Sequence, residues 1–141
     1  MGTRDLKSGI SVVNSLAPLL RTAAANGTGV DTRGFDSAMA VIKTGAGTDG
    51  VFAFTVEESS DDGSADAYAA VAAAQLDGTL PSVDADASPS TGVNTITKIG
   101  LKGVERYIRV VATQTASPAP STGCNFSADI VLGHAHQKPV S

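Results

Sequence analysis

The chain has no tryptophan, one cysteine, two histidines and few aromatic residues, and each shortage excludes something. With Cys124 alone, neither an intrachain disulfide nor a cysteine-based metal site can be built. No basic cluster or histidine lies near it in sequence to lower its pKa, so a buried, inert thiol is expected at the start of a strand. Aromatics make up 4% and charged residues 17% of the 141 residues, so the core must come from small and β-branched side chains plus a few phenylalanines. No apolar run approaches the ~20 residues that span a bilayer. The first residues do not read as a signal peptide, because Ile10–Leu20 is interrupted by Ser11, Asn14, Ser15 and Pro18. With a net charge of −4 and no basic stripe, direct binding to nucleic acid is not expected.

What the chain does have is period-2 alternation. In Arg106–Thr115, Ile108, Val110 and Ala112 alternate with Arg109, Val111 and Thr113, the pattern of a half-buried antiparallel strand. Val51–Glu58 sets Phe52, Phe54 and Val56 on one face, and Ser37–Thr44 sets Ala38, Ala40 and Ile42 together. Asn94–Leu101 reads as a further strand, and Asn125–Gly133 as the last, with Phe126, Ala128, Ile130 and Leu132 inward. Tyr68–Val71 is a short strand candidate, and the alanines of Ala72–Leu76 suit a helical turn. No long helical period occurs. The expectation is one all-β domain, an antiparallel sandwich or barrel.

The N-terminal region reads differently. Pro18 excludes a regular helix through Ile10–Arg21, leaving an extended segment with a strand near Leu19–Ala23. Residues 1–18 are therefore expected to form an extended arm, and 19–141 a single sandwich domain. Asn26-Gly27-Thr28-Gly29 reads as a turn using positive φ, and Val30–Phe35 as a connector with one short extended piece.

Four motifs carry possible chemistry. Gly45-Ala46-Gly47-Thr48-Asp49-Gly50 fits the dinucleotide-binding glycine pattern, but that site needs a helix to follow, and Val51–Val56 alternates as a strand. A hairpin turn is the expected role. Glu57, Glu58, Asp61, Asp62 and Asp66 form an acidic loop whose spacing departs from a calcium-binding loop, so a solvated loop is expected ahead of an ion site. His134 and His136 offer two ligands, half of a structural zinc site; a solvent-facing pair at the end of the last strand is expected first, and a partner chain around a symmetry axis could complete a metal site. No serine elbow or Ser–His–Asp order is present, no cofactor is implied, and an enzyme is not expected. Asn26 and Asn125 match the glycosylation pattern, which means little without a secretory signal. Arg109 lies on the outward side of its strand. A cross-strand ion pair is its first expected role, and an anchor on a partner's acidic surface its second.

Several pieces in order resemble a family of small tailed-bacteriophage virion proteins, the capsid decoration or cement proteins. They are Ser15-Leu16-Ala17-Pro18, Ala25-Asn26-Gly27, Val30–Ser37, Thr48-Asp49-Gly50, Glu57–Asp62, Lys102–Val111 and Val131-Leu132-Gly133-His134-Ala135-His136. The alanine-rich Asp66–Gln75 departs from the pattern. The resemblance implies a jelly-roll-like β-sandwich on the outside of the head, assembled in the host cytoplasm. Its partner would be the major capsid protein, and it would act as a homotrimer or other homo-oligomer. On that reading Leu16, Pro18, Arg21 and Arg109 are the candidate partner-contacting residues. A tail or head–tail junction protein is the first rival. A carbohydrate-binding adhesion module is the second, disfavoured by the scarcity of aromatic platforms.

Overall fold

In a computed structural model, which describes residues 5–140, the chain is an antiparallel β-sandwich. Its strands are β1 (Ser11–Arg21), β2 (Ala25–Asn26), β3 (Val30–Asp31), β4 (Phe35–Gly47), β5 (Val51–Ser59) and β6 (Ala69–Ala70). They continue with β7 (Leu76–Asp77), β8 (Ser82–Asp84), β9 (Ile96–Leu101), β10 (Tyr107–Gln114) and β11 (Cys124–Ala135). Single 3-10 turns at Lys7–Gly9 and Ala73–Gln75 are the only helical pieces among the described residues, the second where the alanine run suited one. One sheet runs β1-β11-β4-β9-β7, and the other runs β2-β10-β5-β6 with β3 also on β10 and β8 also on β5.

One set of pairings is nested. β5 pairs with β8, β4 with β9, β2 and β3 with β10, and β1 with β11, all antiparallel. The chain is thus one long antiparallel ribbon doubled back between β5 and β8 and rolled so that successive pairs fall in alternate sheets.

Alternation decides which side chains meet in the middle. Phe52, Phe54 and Val56 from β5 and Ile108, Val110 and Ala112 from β10 face Ala40, Ile42, Ile99, Phe126, Ala128, Ile130 and Leu132 from the opposite sheet, all buried. Three of the four phenylalanines form the centre. Phe126 lies 5.1 Å from Phe52 and 5.0 Å, edge to face, from Phe54. Aromatic pairs at that spacing add to the gain from burial, and the few aromatics are concentrated where they fill most volume.

Two expectations are corrected. Residues 11–18 are not a free arm. β1 pairs with β11 from Ser11↔Leu132 to Arg21↔Cys124, and the boundary expected at Pro18/Leu19 falls inside it. β1 escapes detection because register shifts between Asn14 and Leu16 and between Leu16 and Leu19 break its period-2 pattern. Pro18 is tolerated because β1 is the sheet's edge strand. Met1–Arg4, also assigned to the arm, lie outside the described residues.

The Gly45–Gly50 segment is a turn but not a hairpin. β4 and β5 belong to different sheets, so the chain crosses the sandwich there. Gly50, at φ +102°, makes the bend, and its N–H donates to Asp86 at 2.8 Å. The element that follows is a strand, as the rejection of a nucleotide site requires.

Candidate functional site

Of the four candidate contact residues, Leu16, Pro18 and Arg21 sit on β1 and Arg109 on the outward face of the other sheet, so they do not converge. Leu16 is corrected outright. It is 2% exposed and belongs to the core, leaving no side-chain surface for a partner. Pro18 is exposed beside the strand irregularity and borders an open cleft of about 340 Å³ with Leu19, Lys43 and Asn125. Arg21 is half-buried. Its guanidinium lies 5.5 Å from the Phe126 ring centre and donates to the Ala17 carbonyl at 2.9 Å, closing the seam beside the aromatic centre.

Arg109 takes the first of its two expected roles. It lies directly across from Glu57 in the β10–β5 register, and its Nε and Nη2 both donate to Glu57 Oε2, at 2.9 and 2.7 Å. The Tyr68 ring covers the guanidinium at 4.0 Å. The Tyr68 hydroxyl donates to Asp62 at 2.6 Å, and desolvation followed by that carboxylate pushes the phenol well above its ordinary pKa. The loop after β5 thus folds back over the outer face of its own sheet, fastened through Tyr68. Arg106 likewise pairs with Asp31, through Nε at 3.0 Å and Nη2 at 2.7 Å, and lies over Tyr107. Each tyrosine therefore carries an arginine on one ring face.

Two carboxylates of the acidic loop, Asp61 and Asp66, are bonded to its own backbone. Asp61 accepts N–H bonds from Ser64, Ala65 and Asp66, and Asp66 accepts one from Ser60. Those bonds, led by Ala65 and Asp66, hold the Asp61 carboxyl below its ordinary pKa. The two histidines take separate partners: His134 Nδ1 is 2.8 Å from Ser37 Oγ, and His136 Nε2 is 2.6 Å from Asp36. Among the described residues no group of three or more His, Cys, Asp or Glu side chains is placed to hold a metal ion. Cys124 is fully buried at the start of β11, and burial pushes its thiol up in pKa.

Asp49, first met as a turn residue, is a staple. Its carboxylate accepts from the Ser121 N–H and hydroxyl at 2.8 and 2.9 Å, from the Thr122 N–H at 3.0 Å, and from the Gly123 N–H. It therefore ties the crossing between the sheets to the loop that leads into β11. The backbone bonds from Gly123 and Ser121 are the main reason its pKa falls to about 2.

The sequence reading did not single out the outer face of the five-stranded sheet. The register aligns Val12, Val131, Met39 and Gly100 in one row across β1, β11, β4 and β9, and Asn14, Asp129, Val41 and Lys98 in the next. Val12 is 59% and Ile96 71% exposed on this side. Asp129 is bridged by Lys43 at 2.9 Å and by Asn14 at 2.8 Å. Burial alone would raise the Asp129 pKa, but these two bonds outweigh it and lower it. The parity of Met39 and Val41, opposite to Ala40 and Ile42, was the available signal for this face.

No protein-family model matches the chain, and no curated protein matches it.

Proposed function

We propose that this chain is a structural protein of a tailed-phage virion, a decoration protein that binds the outside of the head and stabilises the shell by adhesion, without catalysis, cofactor or metal. The ordered resemblance motivates the reading. The observation that carries it is the division of the surface. The chain's conspicuous polar groups (Arg109–Glu57, Asp49, Asp61, Arg106–Asp31) are bonded within the molecule, whereas large apolar side chains at Val12, Leu20 and Ile96 are left in solvent. Internally satisfied polar clusters build a scaffold, and exposed apolar side chains are what a partner surface covers.

In this role each copy bridges neighbouring coat subunits with modest contact, and many copies together resist pressure from within. Trimers, or another closed oligomer, would match the local symmetry of a shell. The test is cryo-electron imaging of purified particles with and without the protein, together with its copy number in separated heads and tails. Density on the head exterior, with many copies per head, is expected. Its presence in tails alone would overturn the decoration role and favour the tail-component rival.

A further inference from the structure

The sandwich has two outer faces, and they are finished differently. On the β10–β5 side, the loop after β5 returns over the sheet, with Tyr68 stacked on Arg109 and hydrogen-bonded to Asp62. Outward residues there run from Val111, only 8% exposed, through half-buried Thr55, Tyr107 and Arg109 to exposed Thr113 at the end of β10. On the β1-β11-β4-β9 side no loop is stacked on the outward row of exposed Val12 and half-buried Val131, Met39 and Val41 among the described contacts, and exposed Ile96 borders it.

The charge on that open face has a sign. Asp129 is already matched by Lys43, and Asp77, which continues the Met39–Gly100 row on β7, by Lys102 at 3.7 Å. Lys98, beside Val41 in the register, is exposed and makes no ion pair among the described residues. The open face thus carries an unmatched cation in a chain whose net charge is −4. The acidic excess lies elsewhere, with Glu58, Asp61, Asp62 and Asp66 on or after β5 in the other sheet.

Edge-to-edge strand addition at β1 is the weaker alternative. The strand carries two register irregularities and Pro18, and the Ser15 carbonyl already accepts the Thr28 N–H at 2.8 Å.

We infer that the outer face of the β1-β11-β4-β9 sheet is the docking surface, and that its occupant is a protein surface with an apolar centre and an acidic flank opposite Lys98. This rests on the decoration reading and specifies it, making the occupant the coat-protein exterior and the contact face-on. The apolar row supplies the buried centre of the contact, and Lys98 steers and registers it.

The test uses full-length protein and purified heads lacking it, with bound copies counted after sedimentation at low and high salt. Val12→Asp and Lys98→Glu alter exposed side chains on the open face, and Thr113→Glu alters an exposed side chain on the covered side. Thermal melts establish that each variant is folded. Wild type and Thr113→Glu should saturate the heads. Val12→Asp and Lys98→Glu should each lower occupancy about tenfold or more, and the Lys98→Glu deficit should shrink in high salt as screening weakens the charge contact. Equal binding by all four proteins would overturn the face assignment while leaving the decoration role intact. Wild-type protein that binds no heads would overturn both. Self-association of the free protein that Val12→Asp abolishes, with head binding unchanged, would give the face to a second copy and overturn the assigned occupant.

Discussion

Ser15 on β1 and Val110 on β10 join the two sheets through a side chain: the Ser15 hydroxyl oxygen accepts the buried Val110 N–H at 3.0 Å and donates its own proton to the Thr28 carbonyl at 3.0 Å. β2 and β3 flank β10 on either side of this point, and Gly27-Thr28-Gly29 bends away between them. The gap leaves the Val110 amide without a strand carbonyl, and Ser15 takes that place. Gly27 is needed here for closeness rather than for positive φ. A Cβ at Gly27 would collide with Ser15 Oγ and with the Val110 carbonyl, which accepts the Gly27 N–H at 2.9 Å.

Ser15→Ala should therefore lower stability by ~1–3 kcal/mol, the usual cost of a buried donor left without a partner. Ser11→Ala, at a half-buried serine on the same strand with no side-chain hydrogen bond among the described residues, should change it by less than about 0.5 kcal/mol. Urea unfolding of the two variants measures the difference. Equal midpoints would show that the hydroxyl is not a bridge between the sheets.

The incorporation of β1 reverses the expected result of an N-terminal truncation. Were residues 1–18 an arm, their removal would weaken partner binding and leave the domain's melt unchanged. In the structure that deletion removes Ser15, Leu16 and most of the strand covering β11. Loss of a buried leucine alone costs roughly 2–5 kcal/mol, a large fraction of the roughly 5–15 kcal/mol typical of a domain. The truncated protein should lose its cooperative thermal transition or melt far below full length by circular dichroism. An unchanged melt would restore the arm.

The parts legible in the sequence are those where burial on one face imposed strict alternation. Phe52, Phe54 and Val56, Ile108 and Val110, and Phe126, Ile130 and Leu132 all face the core as their spacing predicts. β1 was illegible because its two irregularities place Ser15 and Leu16, neighbours in sequence, both inside. The destination of the chain after Gly50 was illegible for another reason. Glycines and Asp49 serve a sheet-to-sheet crossing as well as a hairpin, and what distinguishes the two is the bond to Ser121–Gly123, 72 or more residues away. The burial of Leu16 is hidden in the sequence by the same irregularities of β1, whereas the ion pair of Arg109 is readable because its partner sits across a regular ladder.

The aromatic centre gives a sharp test of packing. Phe54 is 2% exposed and meets Phe126 edge to face. Phe54→Ala should cost ~3–5 kcal/mol, combining lost burial with the cavity left between the sheets. Phe35, half-buried at the start of β4 and packed against the margin of the core, should cost less on the same change. Chemical denaturation gives both values, and the reverse order would misplace the centre of the core.

Acid should loosen the molecule at the staples. Asp49 and Asp31 both fall from the ordinary value of 3.8 to about 2, Asp49 mainly through the Gly123 and Ser121 backbone bonds and Asp31 mainly through Arg106. A carboxyl with a lower pKa in the folded state than in the unfolded one stabilises the fold above its unfolded pKa. That contribution is lost as the pH falls through the folded value. The window here runs from about pH 4 down to about pH 2, set by the two values above. Asp49→Asn cannot ionise, so it should melt below wild type near neutral pH. The gap between the two should then close as the pH falls through that window, because protonation brings wild-type Asp49 to the same uncharged state. Melting temperatures of both proteins across the range decide it. A gap of constant size down to about pH 2 would mean that the Asp49 charge adds nothing to the link between the sheet crossing and β11.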